Sequence, residues 1–178
     1  MKAHKGMRPH DIAVLLKIVA LGQNDWMNKD LARDLYISPS EITESLSRSQ
    51  FAGLINASRK KVFISVLEDF LVFGLKVVFP VQPGSIVKGL PTAHAAPVLK
   101  KYVSSEEIYV WPDADGKERG MKIEPLYPGA IEAAKLDLVF YDLLAICDVF
   151  RIGKVREIEK AKEQFEKIAE SKDDAAAH

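Results

Sequence analysis

Apolar positions recur at three- and four-residue spacing through most of this chain, and the recurrences divide it into helices. Ile12, Leu15, Leu16 and Val19 follow Pro9 and stop at Leu21-Gly22, which predicts a first helix. Trp26 lies in the polar break that follows, where it can pack on that helix or, as the lesser alternative, meet a ligand. Leu31, Ala32 and Leu35 make a short second helix, and Ile42 and Leu46, leading to an Ala52/Leu54 exit, make a third. Ser38 is placed to cap the third helix, with Pro39 in the first turn, where no N–H is required. From Val62 the pairs Val62/Phe63, Val66/Leu67, Phe70/Leu71 and Gly74/Leu75 repeat every four residues. This predicts a long helix from about Arg59 to Lys76, capped by Ser58, with any hairpin turning at residues 58–61 vestigial or absent.

Residues 77–103 hold four of the nine prolines, so neither a continuous helix nor a central strand is expected. Their Val, Leu and Ala content implies an irregular segment packed on a neighbouring surface. Glu106 to Trp111 and Gly120 to Leu126 flank Pro112-Asp113-Ala114-Asp115-Gly116-Lys117, the pattern of a hairpin around an Asp-Gly turn. Two helices are expected after Tyr127-Pro128-Gly129. One, over residues 136–150, is apolar on most sides; the other, over 155–172, carries a stripe of Val155, Ile158, Phe165 and Ile168 that suits docking on this chain or on a second copy. The expected fold is mainly α with a small β-hairpin (α+β): a helix-turn-helix, a long helix, a proline-rich packed segment, a hairpin and two C-terminal helices. Residues 1–76 form the expected helix-turn-helix region with its connecting helix, and 77–174 a dimerisation or accessory region. Residues 175–178, Ala-Ala-Ala-His, read as a tag remnant.

The chain has 178 residues, is 48% apolar and has zero formal net charge, yet the charge is uneven. Residues 1–61 hold 10 Lys and Arg against 6 Asp and Glu, and the remainder holds 15 against 19. The helix-turn-helix third is therefore the basic third. A single cysteine excludes an internal disulfide framework, and Cys147 among apolar neighbours reads as an inert core thiol. No leader pattern opens the chain and no apolar run reaches the roughly 20 residues of a membrane span, so a cytoplasmic protein without a membrane partner is expected.

The outer side of the third helix carries Ser40, Glu41, Thr43, Glu44, Ser47, Arg48 and Gln50. Short hydrogen-bonding side chains with one arginine suit phosphates and base edges better than mere solvation does. The order K-D-L-A-R-D-L, then S-P-S-E-I-T-E-S-L and an A-G-L-I exit, resembles the winged helix-turn-helix of MarR-type bacterial transcription regulators over residues 8–57. The resemblance implies a double-stranded DNA partner and a homodimer. The N-terminal extension is only a few residues, so pairing is expected through residues 77–172, whereas one reader alone would bury little DNA.

The expected DNA-binding residues are Ser38, Ser40, Glu41, Thr43, Glu44, Ser47 and Arg48 on the recognition helix, residues 38–51, with Arg59, Lys60 and Lys61 on the backbone. Three cations in a first helical turn would oppose the macrodipole, and a phosphate there would relieve the conflict. No catalytic residue, metal site or cofactor is expected. His94 has no second ligand at metal spacing and reads as a hydrogen-bonded loop histidine, while the Asp113-Ala114-Asp115-Gly116 string places Trp111 and Lys122 where an EF-hand needs carboxylates. A small effector could bind between reader and lobe, with His94, Trp111 and Tyr127 as candidate liners. The leading expectation is a dimeric repressor. The alternative is a protein-interaction module, adaptor or antitoxin-like, on the same fold.

Overall fold

A computed structural model of the chain describes residues 6–174; residues 1–5 and residues 175–178, expected to be a tag remnant, lie outside the described residues. The first helix, α1 (Pro9–Leu21), has residues 11 to 20 buried throughout, so it acts as a post on which other helices lean. Its start is held by Asp11, whose Oδ2 accepts the Arg8 N–H at 2.7 Å. Trp26 is buried beyond its end, as a packing residue. In α2 (Asn28–Leu35) Asp30 caps in the same way, accepting from the Met27 N–H at 2.9 Å. Tyr36 then turns the chain with a left-handed φ of 57°. The next helix, α3 (Pro39–Phe51), begins as its sequence predicts, with Ser38 Oγ accepting the Glu41 N–H at 3.3 Å.

The expected helix start at Arg59 is corrected by the structure. Ile55 and Val62 face each other as a one-residue antiparallel bridge, with Asn56 N–H donating to Lys61 O at 2.9 Å and Phe63 N–H to Leu54 O at 3.0 Å. Asn56 Oδ1 accepts the Lys60 and Lys61 N–H groups and the Ser58 hydroxyl, and Arg59 adopts a left-handed φ of 58°. These local bonds give the backbone an alternative to helix that a four-residue apolar period does not reveal. Arg59, Lys60 and Lys61 thus sit in the turn closed by that bridge, at the place the resemblance gives to a wing, not in a helical first turn, and the macrodipole conflict does not arise. Helix starts only at α4 (Ile64–Asp69), passes through a π-helical turn (Phe70–Gly74) and ends in α5 (Leu75–Val78).

The proline-rich segment contains a strand, β1 (Ile86–Thr92), followed by a 3₁₀ turn (Ala93–Ala95) and the short α6 (Pro97–Lys100). Strands β2 (Tyr109–Pro112) and β3 (Glu118–Lys122) form where the hairpin arms were expected, but they meet each other in parallel over two residues. Their main partner is β1, antiparallel to both: Gly89 to Thr92 pair with β2, Ile86 to Gly89 with β3. At Gly89, where the halves meet, a Cβ would lie 2.0 Å from Trp111 O. Pro91 is tolerated because that half of β1 has a strand on one side only.

Three helices rather than two complete the chain: α7 (Ala130–Leu136), α8 (Leu138–Ile152) and α9 (Val155–Asp174). Asp137 separates the first two and caps α8, its Oδ1 accepting the Phe140 N–H at 3.0 Å. In α9 the inward positions are Ala161, Gln164, Phe165 and Ala169, while Val155 from the expected stripe is exposed. This helix packs on α8 and α1 of its own chain. One hydrophobic cluster runs from Ile12 to Ala169, so residues 1–76 and 77–174 share a core. The architecture is mainly α with one small sheet. Among the described residues no helix is long and apolar enough to cross a membrane.

The sheet is fastened to α8 by Asp148, which is 1% exposed. Its Oδ2 accepts from Thr92 Oγ1 at 2.6 Å and Trp111 Nε1 at 2.7 Å, and its Oδ1 from Arg151 at 3.0 Å. Burial raises its pKa against the pull of Arg151, Thr92 and Trp111. Arg151 also donates to Phe79 O and Glu124 O. An Arg151→Met variant leaves the Asp148 carboxyl without its cation and is expected to lose about 3 kcal/mol or more in a urea titration. Half-buried Asp142, also on α8, is pushed up to about 6 by burial. Its folded value lies above its unfolded one, so its contribution to stability is greatest at low pH and falls as pH rises through that interval. Asp142→Asn should match the parent near pH 3 and exceed it at pH 7 by roughly 1 to 2 kcal/mol, measured by denaturation at both pH values.

Candidate nucleic-acid interface

The packing of α3 on α1 determines which of its side chains face outward. Ile42, Ser45, Leu46 and Ser49 are buried, and the two serines keep this side thin enough for close approach to α1. Arg48 lies on the same inner flank. Its guanidinium forms a two-bond fork to Asp11, Nε to Oδ2 and Nη2 to Oδ1, both at 2.8 Å. Nη2 also pairs with Glu41 Oε1 and lies 3.2 Å from His10 Nε2, which is itself 2.8 Å from Glu41 Oε1. Arg8 approaches the same Glu41 carboxylate at 3.4 Å.

Electrostatics follow from this geometry. Burial pulls the Glu41 carboxyl upward, but the hydrogen bonds from Arg48 and His10 outweigh it and hold it below the ordinary carboxylate value. Hydrogen bonding to Asp11 raises the Arg48 pKa still further. Asp11 is fully buried, so the fork is desolvated on that side and stronger than a surface pair. His10, Asp11 and Glu41 also bring ligand-type atoms within 4.8 Å of one another, but the cation among them is the Arg48 guanidinium.

Of the expected DNA-binding residues, Ser40, Thr43 and Glu44 are exposed and Ser47 half-buried, so these four share the outer side of α3. Ser38 is engaged as the cap, and Glu41 and Arg48 are drawn into the network beneath. Thr43 Oγ1 donates to Pro39 O and accepts from Asn28 Nδ2 at 3.2 Å, which ties the outer side of α3 to α2. In the wing turn, Arg59 Nε donates to Gln50 Oε1 at 2.7 Å, clasping the turn to the end of α3. Lys60 donates to Trp26 O and lies 3.7 Å over the Trp26 ring. Lys61 is exposed and has no acidic partner among the described residues.

Asp11 and His10 are the functional neighbours the sequence reading missed. The available signal was that Glu41, Ser45 and Arg48, at i, i+4 and i+7, adjoin the Ile42/Leu46 core stripe, which turns Arg48 inward once α1 supplies an acid. The three candidate effector liners are buried, and two of them are engaged elsewhere. His94 Nε2 is 2.7 Å from Glu107 O, Trp111 is bonded to Asp148, and Tyr127 lies buried with its hydroxyl unpaired. A cleft of about 320 Å³ opens instead beside Trp26, between Asn24, Lys60, Lys61 and Lys172.

Arg48→Ala, by stranding the buried Asp11 carboxylate, should destabilise the protein by roughly 3 to 5 kcal/mol in chemical denaturation. Because the folded Glu41 value is depressed, its contribution is present above the unfolded value and is lost as pH falls through the folded one. A Glu41→Gln variant should therefore show a shallower loss of stability below pH 4.5 than the parent. Comparison with family models, with curated proteins and with solved structures finds no match to this chain.

Proposed function

We propose that this chain is a sequence-specific DNA-binding transcription regulator, a dimeric repressor that reads a major groove with residues 38–51. The observation that carries this reading is the outer side of α3, where Ser40, Thr43, Glu44 and Ser47 stand on a helix locked at both ends, by the Ser38 cap and by the Arg59–Gln50 clasp. Short hydroxyls and a carboxylate at that face match donors and acceptors on base edges, and a helix fixed against α1 presents them without an ordering cost at binding. Lys61 at the wing turn is the cation best placed for a backbone phosphate, since Lys60 is committed to Trp26. Two such readers on one two-fold site give the DNA contact area that one lacks.

A second reading, an interaction module for another protein, is favoured by one observation. Arg48, Arg59, Lys60 and Arg33 are all engaged within the chain, Arg33 by Asp30 and Asp34, so the reader offers few uncommitted cations. The two readings part in a mobility-shift titration on duplex DNA from the chain's own upstream region. The regulator reading expects binding that weakens steeply with salt, a slope reduced by about 1 in Lys61→Glu, and lower discrimination between sequences in Thr43→Ala and Ser47→Ala. Absence of any binding at low salt would sink it and leave the interaction module.

A further inference from the structure

The helix that follows the wing has two apolar sides. Its inner side is Leu67, Leu71 and Leu75, all fully buried. Its outer side carries Val66, 46% exposed, Phe73, 72%, and Val77, 73%, with half-buried Phe70 between them and Phe63 and Val78 exposed at the ends. Residues at four-residue spacing drift about 40° per step around an α-helix. The π-helical turn Phe70–Gly74 inserts an extra residue at mid-helix and reverses that drift, so the three leucines stay inward while Phe73 and Val77 stay outward. Gly74 fits this arrangement, since a Cβ there would lie 2.8 Å from the Phe70 ring.

We infer that this outer stripe is the surface through which two copies of the chain pair, antiparallel, about a two-fold axis at the π-helical turn. Two observations select a second copy as the occupant. The stripe reads the same in both directions: Val66, Phe70, Phe73 and Val77 are spaced four, three and four. A two-fold axis between Phe70 and Phe73 therefore sets valine against valine and phenylalanine against phenylalanine, the self-complementarity an isologous interface requires. The exposed apolar area supplies a large part of what such pairing needs. Taking about 200 Å² for a phenylalanine, the exposed apolar groups amount to roughly 400 to 500 Å², more than half of the ~800 Å² each partner contributes to a standard interface. Exposed Asp69 and Lys76 lie beside the stripe's apolar positions, and Glu68 on the flank is turned to Lys162 of α9, 3.4 Å away. This interface lies at the junction of the reader and the accessory region, and it rests on the regulator reading only for the expectation of two copies.

Sedimentation equilibrium of the full chain without DNA tests it. The expected result is a dimer, with dissociation raised at least tenfold by Phe73→Glu or Val77→Glu while the far-ultraviolet circular dichroism is unchanged, because both side chains are exposed in the monomer. A Val66→Cys, Val77→Cys double variant should cross-link to a covalent dimer under mild oxidation, buried Cys147 remaining silent. A monomeric parent, or a dimer indifferent to both glutamates and to cross-linking, overturns the inference. A monomer that shifts DNA would leave the regulator reading standing, and a dimer that does not would leave this interface standing alone.

Discussion

Asp11 performs two tasks with one buried carboxylate: it caps the start of α1 by accepting the Arg8 N–H, and it receives the fork of Arg48 from α3. The outward face of α3 depends on this pair. Arg48 cannot leave without exposing a charge that has no solvent, and its planar fork accepts only a narrow range of approach angles. A buried ion pair adds little net stability over a well-packed apolar pair, but breaking one is severe, so it acts mainly to define orientation. Here the orientation is that of α3 on α1, and with it which of Ser40, Thr43, Glu44 and Ser47 meet whatever the helix contacts.

The same device recurs in the accessory region. Asp148 gathers Thr92 of β1, Trp111 of β2 and Arg151 of its own helix, and Arg151 reaches the chain at Phe79 and Glu124. Between the two hubs, buried Lys17 on α1 pairs with Asp137 at the start of α8, 2.7 Å away, and with Asp34 of α2 at 3.5 Å. The helix-turn-helix and the C-terminal helices are therefore joined by an ionic contact as well as by the shared core. Any change in the position of α8 would be felt directly at α1.

These ties explain the distribution of apolar surface. The α8 helix, apolar on most sides in sequence, is covered by α1, α7, α9 and the sheet. The helix over residues 64–78 is covered on one side only. An apolar stripe of that size matches the largest patch on a typical monomer, one that is often functional.

The helices were legible because each carries its own evidence. A capping serine before a proline, a glycine stop and a 3.6-residue apolar period are local, and α1, α3 and α9 follow them. Strand partners were not, because hydrogen bonds between strands join residues distant in sequence. Nothing within Glu106 to Leu126 reveals that both arms of an apparent hairpin pair with a strand from the proline-rich segment. The wing turn was lost to a similar conflict, since an apolar period extending from Val62 does not register the three bonds that Asn56 accepts. Within the site, local pattern was enough to place the cap and the outer hydroxyls. The direction of Arg48 required Asp11, thirty-seven residues earlier and on another helix. Short-range periodicity and capping chemistry thus specified the helices, whereas strand pairing and the burial of charge were decided by contacts that exist only once the chain has folded.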